Sequence, residues 1–145
     1  MVLEYINEPD IFIKEISRAL KPKGKLILST LQAYPVHHEK FDFFRFTKHG
    51  IKYLLGKNNL EIVSLKYNGR FFVHIGEMIV HYVNRRLFRN VNGVFWKTLF
   101  GFIKVILTPF LIMFTFFVNV ICLILNYIDI DETFTTSYTV LAKKK

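Results

Sequence analysis

From Pro9 to Leu20 the apolar side chains Phe12, Ile13, Ile16, Ala19 and Leu20 return at helical spacing, with Lys14, Glu15 and Arg18 between them. That spacing predicts an amphipathic helix with one face turned inward. Asn7 or Glu8 is placed to cap it, and Pro9 suits its first turn, where a missing N–H costs nothing. Pro22 and Gly24 stop it. Leu26, Ile27 and Leu28 then make a short continuous apolar run within Lys25–Thr30, the pattern of a strand covered on both faces. Thr47 is the expected N-cap of a second helix through Leu55, with Ile51, Leu54 and Leu55 inward and Gly56 near its end. Leu60 to Tyr67, rich in β-branched and apolar residues and closed by Asn68-Gly69, predicts another strand. Helix, tight turn and buried strand together imply an α/β fold with a parallel sheet.

The pattern changes after Gly69. Arg70 to Arg89 is predicted to be an amphipathic helix, with Phe71, Phe72, Ile75, Met78, Ile79, Tyr82 and Val83 set against His74, Glu77, His81 and Arg85. A basic group follows in Arg85, Arg86, Arg89, Lys97 and Lys104, and from Val105 to Ile128 no residue is charged. By length and charge that run is a transmembrane candidate. The basic flank before it and Asp129, Asp131 and Glu132 after it would place its N-terminal side in the cytoplasm. Pro109 interrupts it, and Thr108, Thr115 and Asn119 dilute it. Phe100, Phe102, Phe110, Phe114, Phe116 and Phe117 suit an interfacial position.

Composition sharpens this picture in two ways. Hydrophobic residues make up 52% of the 145 residues, and the excess collects between Phe71 and Ile130 instead of spreading evenly. The net charge of +9, from 20 basic against 11 acidic residues, fits an anionic membrane surface better than nucleic acid, because the basic residues lie beside apolar helices and form no recognisable nucleic-acid module. The single Cys122 excludes an internal disulfide framework and suits a reducing compartment. The N-terminus lacks a basic segment followed by an apolar core, so no signal peptide is expected.

The order of motifs in Met1–Ser29 resembles class I S-adenosylmethionine-dependent methyltransferases of the type 11/12-like group. In that branch the fourth strand ends V-L-E-H and the next helix runs into L-K-P-G-G-x-L. Here those motifs stand as Val2-Leu3-Glu4-Tyr5 and Leu20-Lys21-Pro22-Lys23-Gly24-Lys25-Leu26. Phe134 to Lys145 resembles the family's last strand, which lies antiparallel between the two strands before it. The resemblance implies an incomplete Rossmann-like sheet made of C-terminal strands, the last antiparallel, with an inserted apolar helical segment. Residues 1–69 would be the C-terminal part of the methyltransferase-like domain, 70–132 the basic-flanked insertion, and 133–145 the returning strand. A single membrane crossing would strand the last segment on the wrong side, so an insertion that returns to the same side and dips into one leaflet is expected, with a true span, a soluble core helix or an oligomer contact as alternatives.

Within the family, a glycine-rich turn after the first strand and an acid after the second hold the cofactor. No G-x-G occurs among the 7 glycines here. The resemblance therefore implies S-adenosylmethionine as the family's cofactor, but no tight binding to this chain and no activity of the chain alone. A truncated or split product, or a second polypeptide supplying the missing half, would account for this. Glu4 is the expected cofactor-proximal residue, although Tyr5 replaces the family's histidine. A loop with aromatics, an aspartate and R-[YF]-[ST] precedes the next helix in many members and lies over the active-site mouth. Asp42, Phe44, Arg45, Phe46 and Thr47 match it, which places Asp42, Phe44, Arg45 and Phe46 on the substrate side.

Each of these residues also has a plainer role open to it. His37, His38 and Glu39 are good metal ligands by type, but adjacent histidines do not easily converge on one ion, and an ordinary polar loop with no metal is the expectation. Phe41, Phe43, Phe44 and Phe46 can fill a core as well as line a substrate. Arg45 can hold a carboxylate or phosphate bidentately or pair with Asp42. A reading from a different class makes the chain a small membrane-associated protein without catalysis, anchored by its apolar third.

Overall fold

The computed structural model describes residues 2–87 and 94–145, with the side chains at 84, 86, 87, 94–100 and 104 outside that description. The chain divides into two compact units, Met1–Arg70 with Glu132–Lys145, and Phe71–Asp131.

The first unit is a mixed α/β layer. A single 3-10 turn, Leu3–Tyr5, leads into α1 (Pro9–Ala19), β1 (Lys25–Leu31), α2 (Lys48–Lys57) and β2 (Leu60–Asn68), and β3 (Ser137–Lys144) completes the sheet. The strand order is β1-β3-β2. β3 is antiparallel to both neighbours, pairing Leu28 with Val140 on one side and Leu65 with the same Val140 on the other. The parallel sheet implied by periodicity gives way to two antiparallel pairings: β1 and β2 run the same way, and the last strand lies antiparallel between them, the arrangement expected for Phe134 to Lys145. Val2 and Leu3, expected as a strand end, belong instead to the 3-10 turn and its N-cap.

Local chemistry explains the elements. Pro9 opens α1, with Glu8 as N-cap but no side-chain cap bond. Thr47 caps α2 through Oγ1, which accepts from Gly50 N at 3.1 Å. Between α1 and β1, Lys21-Pro22-Lys23-Gly24 turns with Gly24 N donating to Lys21 O at 2.8 Å. Lys23 sits at φ 64°, the left-handed conformation that position i+2 of a type II turn needs. Gly24 is required there, since a Cβ would meet Lys21 O at 2.8 Å.

The core lies on one face of the sheet. Ile13 of α1 and Ile51, Leu54 and Leu55 of α2 pack with Leu28, Tyr138, Val140, Ala142, Leu60 and Leu3. β2 contributes Leu60, Ile62, Leu65 and Tyr67 to that layer, a set out of step with a two-residue period. The register shift between Ile62 and Ser64 reconciles them, because one extra residue returns Leu65 and Tyr67 to the core side. The opposite face carries no helix of this unit. Ile27, expected to be covered, is 74% exposed, because the layer that would bury it is not supplied by α1 or α2.

The second unit pairs α3 (Phe71–Leu87) with α4 (Val94–Ile128). Gly76 lets the two approach, since a Cβ there would lie 2.8 Å from Cys122 Sγ. α4 runs through Pro109 without stopping. Its stretch Gly101–Ile128 is long and apolar enough to cross a membrane, and most of its large side chains are exposed, Phe102, Val105, Ile106, Phe110 and Phe116 among them. Of the basic group flanking it, Arg85 is exposed, whereas Arg86, Arg89, Lys97 and Lys104 lie outside the described residues or side chains, as does Phe100.

Candidate functional site

The loop between β1 and α2 folds back over the 3-10 turn. Phe43 N and Phe44 N both donate to Glu4 O, at 2.9 and 3.3 Å, and Phe46 N donates to Leu31 O at 2.9 Å. His38 reverses the chain at φ 55°, and Phe41 N closes the turn onto His38 O at 2.8 Å. These backbone bonds bring Glu4 and Tyr5 together with His37, Asp42, Phe44 and Arg45.

Asp42 is the centre of the loop. Its side chain is 0% exposed and meets Arg45 Nη1 at 2.5 Å. Arg45 Nη2 lies 2.7 Å from the other oxygen. His37 N donates to Oδ2 at 3.0 Å, and His37 Nδ1 stands 3.3 Å from the same atom. Hydrogen bonds from Arg45 hold the Asp42 carboxyl well below the usual carboxylate range, against the opposing effect of burial.

Arg45 spends its other donors on the loop itself. Nε reaches Tyr34 O at 3.2 Å, Nη1 also reaches Phe44 O at 2.8 Å, and Nη2 also reaches Pro35 O at 3.3 Å. A guanidinium has five N–H groups, and all five are used. Of the two roles open to Arg45, the structure has it paired with Asp42 and bracing the loop, with no donor left for a ligand anion.

Glu4 is 0% exposed, and both of its carboxylate oxygens lack a hydrogen-bond partner among the described residues, as does the buried Thr30 Oγ1. An unpaired buried carboxylate is costly, so Glu4 is a feature that packing alone does not explain. It is near enough to Tyr5 and Arg45 to raise both of their pKa values. Of the two features expected around the cofactor, the buried acid Glu4 is present and no G-x-G turn occurs in the chain.

The rings of Phe44 and Phe46 meet at a tilt of 44°, with centres 5.8 Å apart. Phe46 packs against the core, while Phe41, Phe43 and Phe44 remain exposed. His37 and His38, read as a metal pair or a polar loop, both set their rings edge-on to Tyr5, at 5.4 and 5.8 Å. Among the described residues no three His, Cys, Asp or Glu side chains converge as a metal site would need. The contact that sequence reasoning missed is between Tyr5 Oη and His37 Nε2, 2.5 Å apart across 32 residues. No periodicity signals such a pair, because it joins residues 32 positions apart through the path of the loop.

No protein-family model matches this chain, and no curated protein matches it.

Proposed function

We propose that this chain is the C-terminal part of a class I S-adenosylmethionine-dependent methyltransferase-like domain carrying an apolar helical insertion, and that these 145 residues alone do not catalyse methyl transfer. The observation that supports the reading best is the strand order β1-β3-β2. The last strand returns after a long insertion and lies antiparallel between the two before it, as the family resemblance implies. The open sheet face at Ile27 and the outer edge of β1, beside which no strand lies among the described residues, fit a sheet that continues in further polypeptide. In this reading Glu4 lies beside the cofactor, Phe44 and Phe46 lie on the substrate side, and Asp42 and Arg45 hold the loop in place. Methyl transfer needs little from the protein beyond alignment of nucleophile and methyl group.

Two measurements test this. Titration calorimetry of the full 145-residue chain in detergent with S-adenosylmethionine should give no saturable heat below the millimolar range, because several polar contacts at roughly 1–3 kcal/mol each are missing. A micromolar dissociation constant would overturn the incomplete-site reading. Sequencing the transcript upstream should show a frame with an acid-preceded G-x-G turn, and the longer chain expressed from it should bind the cofactor. A longer chain that fails to bind would overturn the family reading.

The second reading, a membrane-associated protein without catalysis, rests on the exposed apolar side chains of α4. Thr136 N donates to Gly69 O at 3.0 Å, so the insertion leaves and re-enters the sheet at one point. If α4 enters a bilayer, α3 and α4 together must bring the chain back to the side it left, by re-entry or by paired crossings. Retention of the protein in carbonate-washed membranes and release only by detergent is the expected result. Release by carbonate would exclude integral insertion.

A further inference from the structure

The loop after β1 joins three side chains in a chain of polar contacts. Tyr5 Oη lies 2.5 Å from His37 Nε2, His37 Nδ1 faces Asp42 Oδ2 at 3.3 Å and Pro35 O at 3.2 Å, and Arg45 anchors Asp42 from the far side. We propose that Tyr5, His37 and Asp42 form a proton relay that deprotonates a weakly acidic hydroxyl, phenolic or enolic, brought against Tyr5 Oη.

The partners assign the imidazole tautomer. Pro35 O and the Asp42 carboxylate only accept, so Nδ1 carries the ring proton and Nε2 is the bare nitrogen that receives the Tyr5 hydroxyl. Tyr5 keeps a free lone pair for an incoming hydroxyl. When that hydroxyl gives up its proton to Tyr5 oxygen, the proton Tyr5 already carried moves to His37 Nε2. The resulting imidazolium is held by the Asp42 carboxylate and the Pro35 carbonyl. One proton leaves the hydroxyl, one arrives at the imidazole, and Tyr5 ends unchanged.

The surrounding charges favour this concerted route. Burial pushes the Tyr5 phenol up, and the Glu4 and Asp42 charges push the same way, with Arg45 opposing. Tyr34 and His38 are the other titratable groups facing it. Tyr5 therefore does not ionise on its own near neutral pH and passes a proton only as His37 takes one. Proton transfer is most efficient between groups of similar acidity, which points to a phenol or enol and not to an alkyl alcohol. The exposed Phe43 and Phe44 beside the relay suit an aromatic or apolar carrier of that hydroxyl. The relay rests on the methyltransferase reading only for what the hydroxyl oxygen would then receive.

Methanesulfonyl fluoride tests the relay without knowledge of the substrate. A bond forms from Tyr5 oxygen to sulfur, the S–F bond breaks, fluoride leaves, and the phenolic proton passes to His37 Nε2. The full chain in detergent is labelled and each tyrosine is quantified by peptide mass spectrometry. Exposure alone favours Tyr53, which is 73% exposed. The expected result is that Tyr5 reacts at least about tenfold faster than Tyr53, and that His37→Gln removes at least about tenfold of the Tyr5 rate while leaving Tyr53 unchanged. Labelling that follows exposure, or a Tyr5 rate indifferent to His37→Gln, overturns the proposal. Nitrogen-15 shifts of the histidine rings give a check on the unaltered protein. A protonated Nδ1 and bare Nε2 at His37 are expected, and the reverse tautomer overturns the relay whatever the variant does.

Discussion

Arg45 grips Asp42 through both terminal nitrogens, Nη1 to Oδ1 at 2.5 Å and Nη2 to Oδ2 at 2.7 Å, while the carboxylate is wholly buried. Removing the guanidinium leaves that charge without its main partner. Breaking a buried pair typically costs about 3–5 kcal/mol, and the remaining exposure of Arg45 lowers the expectation to about 2–3 kcal/mol for Arg45→Ala. Arg45→Lys should recover less than half of the loss, because a single ammonium cannot reproduce the fork or reach the three carbonyls. Urea unfolding of the full chain in mild detergent measures both variants.

The pH dependence of stability follows from the same pair. An aspartate whose folded pKa is depressed binds a proton less readily folded than unfolded. Its contribution is complete above the unfolded value near 3.9 and is lost as pH falls below it toward the folded value. Asp42, lowered chiefly by hydrogen bonds from Arg45, should follow that course. The gap in urea midpoint between the native chain and Asp42→Asn should shrink as pH falls below about 4. A gap that is flat to pH 2 would show that the charge of Asp42 contributes nothing.

Lys23 holds a left-handed conformation at φ 64° in the turn where Pro22 precedes it. A side chain there costs about 1–2 kcal/mol, and glycine returns part of that as greater freedom in the unfolded chain. Lys23→Gly should therefore stabilise the first unit by roughly 0.5–1 kcal/mol. Lys23→Ala should change little, and both are read from the urea midpoint.

Gly76 and Cys122 offer a covalent test of how α3 meets α4. A Cβ at Gly76 would stand 3.1 Å from Cys122 Cβ, within about 1 Å of the spacing a disulfide adopts. Gly76→Cys should cross-link to Cys122 under mild oxidation and migrate faster on a non-reducing gel. The unsubstituted chain has one cysteine and cannot form that band. Failure to cross-link would mean that the helices pack through other faces.

The first unit was readable in the sequence where a residue acts on its near neighbours. Thr47 caps α2, Pro9 opens α1, and Ile51, Leu54 and Leu55 turn inward because spacing alone sets these outcomes. Ile27 defeated the pattern, since an apolar run reports that a strand wants cover on both faces and not whether cover is present. The bulge after Ile62 was invisible because it resolves a conflict between β2 and a partner far along the chain. In the loop, the aspartate–arginine spacing held the Asp42–Arg45 pair in plain view, as one of two roles for Arg45. The Tyr5–His37 contact joins residues 32 positions apart, and no local signal announces where the loop after β1 will deliver its side chains.

The pairing of Lys25 with Lys143 has a consequence for the order of events during synthesis. β1 and β2 are translated first but share no hydrogen-bonded edge with each other, and the strand that joins them follows the apolar helices. Until β3 leaves the ribosome, the core face at Leu28 and Leu65 has no centre. α3 and α4 have by then emerged and must already have found their own surroundings. Pairings between segments so far apart in the chain form slowly, so β1 and β2 wait for their shared partner until after both helices have emerged.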